Sequence, residues 1–144
     1  MVDVIAVGTD GSETARRAVD FAIDMAERYG AKLVLASAYR PVSETRVVHE
    51  RDAAPADVQW SINPSQEVDA TLREAEELAR ERGIEYLSEA RTGDPADVLI
   101  EIAAEREADV LVVGNQGMHR RVLGSVPNSI SHRATCSVMI VKTD

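Results

Sequence analysis

Short apolar runs and amphipathic stretches alternate along this chain. Val2 to Val7 is the first apolar run. Gly8-Thr9-Asp10-Gly11-Ser12 breaks it. Ala15, Ala18, Val19, Ala22, Ile23 and Ala26 then fall on one helical stripe, with Ser12 placed as N-cap and Gly30 as the glycine past the end. Lys32 to Ala38 is a second apolar run. Strand, glycine turn, helix and strand in close succession make a βαβ unit.

The pattern lapses between Tyr39 and Ile62, which hold Pro41, Pro55, several charges and the only tryptophan, Trp60. This reads as a long excursion at about 39–62, of the kind that is functional or mobile in compact domains. Asn63-Pro64-Ser65-Gln66 restarts a helix with a cap, a proline at its first turn and a glutamine two places on. Val68, Leu72, Ala75 and Ala79 line its face, and Gly83 ends it. Ile84 to Ala90 is a third strand. Asp94 caps the next helix, whose buried stripe is Val98, Leu99, Ile102 and Ala103. Asp109 to Val113 is a fourth strand, Gly124 or Ser125 starts the last helix, and Ser137 to Val141 is a fifth strand. Strands alternating with helices predict an α/β fold, a doubly wound, mostly parallel sheet with helices on both faces. In such sheets ligands sit beyond the carboxyl ends of the strands, where the winding reverses. Gly8 to Gly11 and Gly114 to Gly117 both lie at such ends. If the first and fourth strands are neighbours, both turns face one crevice.

At 144 residues the chain is read as one domain, 1–144, with room for a real core. A net charge of -9 argues against a nucleic-acid surface. It also makes a polyphosphate a local problem, to be solved by helix dipoles, by a cation such as Arg120 or Arg121, or by a metal. The single cysteine, Cys136, excludes an internal disulfide and suits a reducing compartment. No apolar run approaches the ~20 residues of a membrane span, and Met1-Val2-Asp3-Val4 lacks a cationic leader. A cytoplasmic protein is expected.

The stretch from Asp109 through Gly114-Asn115-Gln116-Gly117 to Gly124-Ser125-Val126 has the parts of a phosphate cradle. Glycines let backbone approach an anion, and a helix start points free N–H groups at it. Neither a Walker loop nor G-x-G-x-x-G is present. Other chemistry finds little support. His49, His119 and His132 match no metal spacing. Ser12, Ser125 and Ser129 lack a nucleophile elbow and a histidine base.

Val7-Gly8-Thr9-Asp10-Gly11-Ser12, Val112-Val113-Gly114-Asn115-Gln116-Gly117-Met118 and Leu123-Gly124-Ser125-Val126 together resemble the universal stress protein family. Cys136-Ser137-Val138-Met139-Ile140-Val141 looks like its closing strand, so the similarity runs the length of the chain. The resemblance implies a Rossmann-like, five-stranded parallel sheet of order 3-2-1-4-5. It implies a homodimer, often through antiparallel pairing of last strands. It also implies an adenine nucleotide, with ATP foremost and Mg²⁺ as its companion. Nucleotide-binding members typically carry Gly-x2-Gly-x9-Gly-Ser/Thr. Here six residues rather than nine separate Gly117 from Gly124, a shortening worth up to ~10 Å of extended chain. A monophosphate needs less loop, and some members with a Gly-Thr-Asp-Gly-Ser turn and Ala-Ser-Ala-Tyr after the second strand resemble cyclic AMP binders. Cyclic AMP or AMP is therefore the alternative ligand.

Carried over by position, the resemblance puts Asp10 by the ribose and adenine, with Thr9 and Gly11 shaping the turn beneath. Ala38 offers backbone groups to the adenine edge. Val113 and Gly114 lie near the ribose, and Gly117 admits the phosphates. Gly124, Ser125 and Val126 present the helix start, with the Ser125 hydroxyl on a phosphate oxygen. Arg120 and Arg121 add positive charge. On residue type alone, Asp10 is equally a helix cap, and the two arginines are ordinary solvated loop charges. The expected role is a stress-response regulator or sensor working by a ligand-dependent change in shape or partners. A slow ATPase or a self-phosphorylating protein, and an interaction protein with no nucleotide, are the alternatives.

Overall fold

The computed structural model describes residues 1–39, 64–115 and 123–143. In chain order its elements are β1 (Val4–Gly8), α1 (Glu13–Tyr29), β2 (Lys32–Tyr39), α2 (Pro64–Glu81), β3 (Tyr86–Thr92), α3 (Pro95–Glu105), β4 (Val110–Gly114), α4 (Ser125–Arg133) and β5 (Ser137–Val141). The strands pair in parallel throughout, in the order β3-β2-β1-β4-β5. This is the expected doubly wound sheet. The excursion, Trp60, His49 and the Asn63 cap lie outside the described residues.

Side chains alternate across the sheet with a period of two. Ile5, Val7, Leu33 and Leu35 point to the face covered by Ala18, Val19, Ala22 and Ile23 of α1 and by Leu72, Ala75 and Ala79 of α2. Ala6, Val34, Leu111 and Val113 point to the other face, under Val98, Leu99 and Ile102 of α3 and Ile130 of α4. Strands loaded with apolar residues on both sides are what helices on both faces require.

Local signals set the helix ends. The Ser12 hydroxyl accepts the Ala15 N–H at 3.1 Å, and Gly30 closes α1 in a left-handed conformation at φ 65°. The Asp94 carboxylate accepts the Ala96 N–H at 3.1 Å, with Pro95 beginning α3. Beyond α2, Gly83 turns at φ 68° and the Ile84 N–H bonds back to the Ala79 carbonyl at 3.1 Å.

That last bond corrects the expected third strand. Ile84 is held in the α2 exit and buried against the core, so pairing with β2 starts at Tyr86 and runs to Thr92 rather than covering 84–90. The first strand also starts later than read, at Val4. The Asp109 carboxylate captures the N–H groups of Asp3 and Val4 at 2.8 and 3.0 Å, which ties the entry of β1 to the entry of β4. Those bonds hold the pKa of the Asp109 carboxyl below its ordinary value. β4 is likewise displaced by one residue, to Val110–Gly114.

The two sheet edges differ. On β3, Glu89 pairs with Arg91 and Arg106, each at 3.0 Å, and Arg91 also reaches Glu105. On β5, the residues at the edge are Val138, Met139 and Ile140.

Candidate functional site

The winding reverses between β1 and β4, which pair through Ile5–Val110, Ala6–Leu111 and Val7–Val112. The carboxyl ends of β1 and β4 therefore lie side by side. A cavity of about 130 Å³ opens there. Its β1 wall is Gly8, Thr9 and Asp10, its β4 wall is Val113 and Gly114, and Ala38 closes the β2 side. Pro95 and Leu99 of α3, Val126 and Pro127 of α4 and Ala15 of α1 complete it.

The turn after β1 is fastened to β2. The Thr9 N–H donates to the Ala36 carbonyl at 2.9 Å, and the Ser37 hydroxyl donates to the Thr9 carbonyl at 2.8 Å. Thr9 Oγ1 accepts the Gly11 N–H at 3.3 Å. Gly11 has φ 83° and lies so close to α2 that a Cβ there would sit 2.5 Å from Thr71 Oγ1. Both the backbone angle and the space demand glycine. The Asp10 Oδ1 accepts from the Ser12 N–H at 2.9 Å and from the Ser12 hydroxyl at 2.6 Å. Asp10 is thus a second acceptor at the start of α1 and an exposed carboxylate on the cavity rim.

Ala38 occupies a particular position. Successive residues of a strand present their backbone groups to alternate sides, so residues two apart share a side. The Ala36 carbonyl faces β1, where it accepts from Thr9. The Ala38 backbone groups consequently point the same way, and there β1 has already given way to its turn. They face the crevice instead of a neighbouring strand.

The start of α4 is unlike those of α1 and α3. Gly124 is its N-cap, with no side-chain cap hydrogen bond, and no acidic residue stands in its first turn. α1 and α3 instead have Ser12 and Asp94 as caps, and Glu13 and Asp97 in their first turns. Among the described residues the first N–H groups of α4 have no side-chain cap, and no acidic residue of its own first turn opposes the helix dipole. The next residue in, Val126, lines the cavity. Ser125 is the first helical residue and is exposed.

Of the residues expected at the site, Thr9, Asp10, Ala38, Val113, Gly114 and Val126 meet at this cavity, and Gly124 and Ser125 begin the helix beside it. Gly117, Arg120, Arg121 and His119 lie outside the described residues. Sequence reasoning did not place Pro95, Leu99 or Pro127 at the site. Leu99 was legible as buried, but no local pattern says which buried leucine ends at a cavity wall. Among the described residues no three or more histidine, cysteine, aspartate or glutamate side chains gather to hold a metal. Burial pushes the pKa of the Cys136 thiol above its ordinary value, away from a reactive thiolate. No helix among the described residues is long and apolar enough to cross a membrane.

A family model described as the universal stress protein family matches residues 1–142. The chain belongs to the universal stress protein family. It is 40% identical over 147 aligned positions to universal stress protein Rv1636 of Mycobacterium tuberculosis, with 96% of this chain and 95% of that protein covered. Among solved structures, a universal stress protein in complex with cyclic AMP is 37% identical, with a TM-score of 0.75 and coverage of 99% of this chain and 98% of that one. A family protein of Arabidopsis thaliana with AMP bound shares the fold at 20% identity, with a TM-score of 0.72 and coverage of 99% and 92%.

Proposed function

We propose that this universal stress protein binds an adenine nucleotide in the β1–β4 crevice and acts as a stress-response regulator through the change that binding brings. The observation that carries the reading is the start of α4. Helix N–H groups with no side-chain cap among the described residues, and with no acidic residue in their own turn, open beside a preformed cavity. In a chain of net charge -9, such a start is a local anion site. The rest of the cavity suits a nucleoside. Leu99 and Val113 supply apolar wall for a base, the Ala38 backbone supplies hydrogen-bonding groups for its edge, and Asp10 supplies an acceptor for ribose hydroxyls.

Two ligand readings follow. A triphosphate, ATP, is the first by family pattern. The second is cyclic AMP, and two observations favour it. The solved relative at 37% identity is a cyclic AMP complex. The segment between Gly117 and Gly124 is three residues shorter than the triphosphate pattern, and a single phosphate asks only for the helix start.

Calorimetric titration with ATP, AMP and cyclic AMP tests the reading. Saturable binding of at least one is expected. Ser125→Glu should weaken it by about tenfold or more, the equivalent of about 1.4 kcal/mol. Glutamate is favourable in a first helical turn, so the fold should survive while its charge repels the phosphate. No binding by the wild type, or undiminished binding by Ser125→Glu, overturns the reading. A homodimer through β5 belongs to the same proposal, supported by the apolar character of that edge.

A further inference from the structure

Beyond the cavity, the backbone leaving β4 is held from behind by a residue that follows β5. Thr143 is only 3% exposed, between an exposed Lys142 and the end of the described chain. Its N–H and its hydroxyl both donate to the Asn115 Oδ1, at 2.9 and 2.6 Å. The Arg17 guanidinium donates to its carbonyl at 2.7 Å. Its methyl group stands behind Gly114, where a Cβ would lie 3.3 Å from Thr143 Cγ2. Asn115 is itself 4% exposed and gives its N–H to the Val141 carbonyl at 3.1 Å. Asn115 is the first residue beyond β4, next to the cavity wall at Gly114.

We infer that Thr143 is a positioning residue of the nucleotide site, acting through Asn115 to fix the direction in which the backbone leaves β4 beside Gly114. The inference rests on the nucleotide reading above. The hydroxyl makes the shorter of two bonds from Thr143 to one buried amide oxygen. Its loss leaves the N–H as Thr143's single bond to Asn115 Oδ1, a weaker hold on Asn115 where water does not replace the missing donor. Arg17 anchors the same residue to α1, whose own start carries the Asp10–Ser12 turn. Both walls of the crevice are thus referred to one buried threonine.

The test compares the wild type with Thr143→Val, which removes the hydroxyl, and Thr143→Ser, which keeps it. Two readouts are taken: hydrogen exchange of the Asn115 amide in ligand-free protein, and cyclic AMP and ATP affinity by calorimetry. Thr143→Val should speed Asn115 exchange and weaken nucleotide binding, each by about five- to tenfold. Exchange at Ile5 and Leu33 in the core should stay nearer the wild-type rate. Thr143→Ser should restore both readouts. Equal acceleration at Asn115, Ile5 and Leu33 would mean a purely structural role and overturn the inference. Wild-type binding by Thr143→Val overturns it while leaving the nucleotide reading intact. Absence of binding by the wild type itself overturns the nucleotide reading and the positioning role with it.

Discussion

Gly8 at the end of β1 leaves room for Leu99 of α3: a Cβ on Gly8 would lie 2.6 Å from Leu99 Cδ1. Both residues line the cavity. Gly8 is not in the left-handed region, so space rather than backbone angle selects glycine here. Gly8→Ala must displace the leucine side chain, and the open direction is the cavity. The substitution should cost about 1–3 kcal/mol in stability as overpacking does. It should also weaken nucleotide binding by about tenfold. Leu99→Ala in the same chain should recover affinity, as read by calorimetry. Full affinity in Gly8→Ala alone would show that Leu99 yields elsewhere.

Ser12 serves two ends of one turn. Its hydroxyl accepts from the Ala15 N–H and donates to Asp10 at 2.6 Å. Ser12→Ala should lower stability by about 1 kcal/mol, the ordinary loss for an N-cap. It should also free the Asp10 carboxylate to change rotamer, with a measurable loss of nucleotide affinity. Urea unfolding and calorimetry on the same variant separate the two effects. A loss of stability with unchanged affinity would confine Ser12 to capping.

Asp109 makes the fold sensitive to acid. The Val4 and Asp3 N–H groups bind its ionised form and lower its pKa from the ordinary 3.8. A carboxylate whose folded value is depressed adds stability above its unfolded value. That stability disappears as the pH falls through the lower folded value. Asp109→Asn should therefore be less stable than the wild type at neutral pH. The difference should shrink as the pH drops from about 4 towards 2. Urea midpoints across this range provide the check, and a constant difference would count against the assignment.

In the proposed homodimer the second copy adds at the β5 edge. Met139 is 37% exposed there, whereas β3 carries the charges of Glu89 and Arg91, paired with Arg106 at the end of α3, which discourage strand addition. Met139→Lys should shift a dimer towards monomer without unfolding the chain. Analytical ultracentrifugation at several concentrations decides it. An unaltered association constant would place the interface elsewhere.

Much of the local order was legible. Ser12, Gly30 and Asp94 announced helix ends, because caps and left-handed glycines act within one turn of chain. The stripes Ala15 to Ala26 and Val98 to Ala103 gave the buried faces, since a helix presents residues three and four apart to one side. The strand runs were found, but β3 was placed two residues early. Ile84 is apolar for the sake of the α2 exit, and apolarity alone does not distinguish packing in a turn from pairing in a ladder. At the site, Thr9, Asp10, Ala38, Val113, Gly114 and Val126 were named through glycine turns at strand ends and through likeness to a family.

What the amino-acid pattern determined by itself is the succession of strands and capped helices, and with it a parallel sheet wound in both directions. Periodicity and capping are short-range properties, and short-range chemistry is written residue by residue. Only the tertiary structure decided that Leu99 fills the space Gly8 leaves, that α4 begins beside a cavity with no side-chain cap among the described residues, and that Thr143 holds Asn115. Each of these joins residues from distant parts of the chain or depends on what is missing from a neighbourhood. Such relations exist only once β1 and β4 lie side by side and the sheet brings the ends of its strands to one crevice.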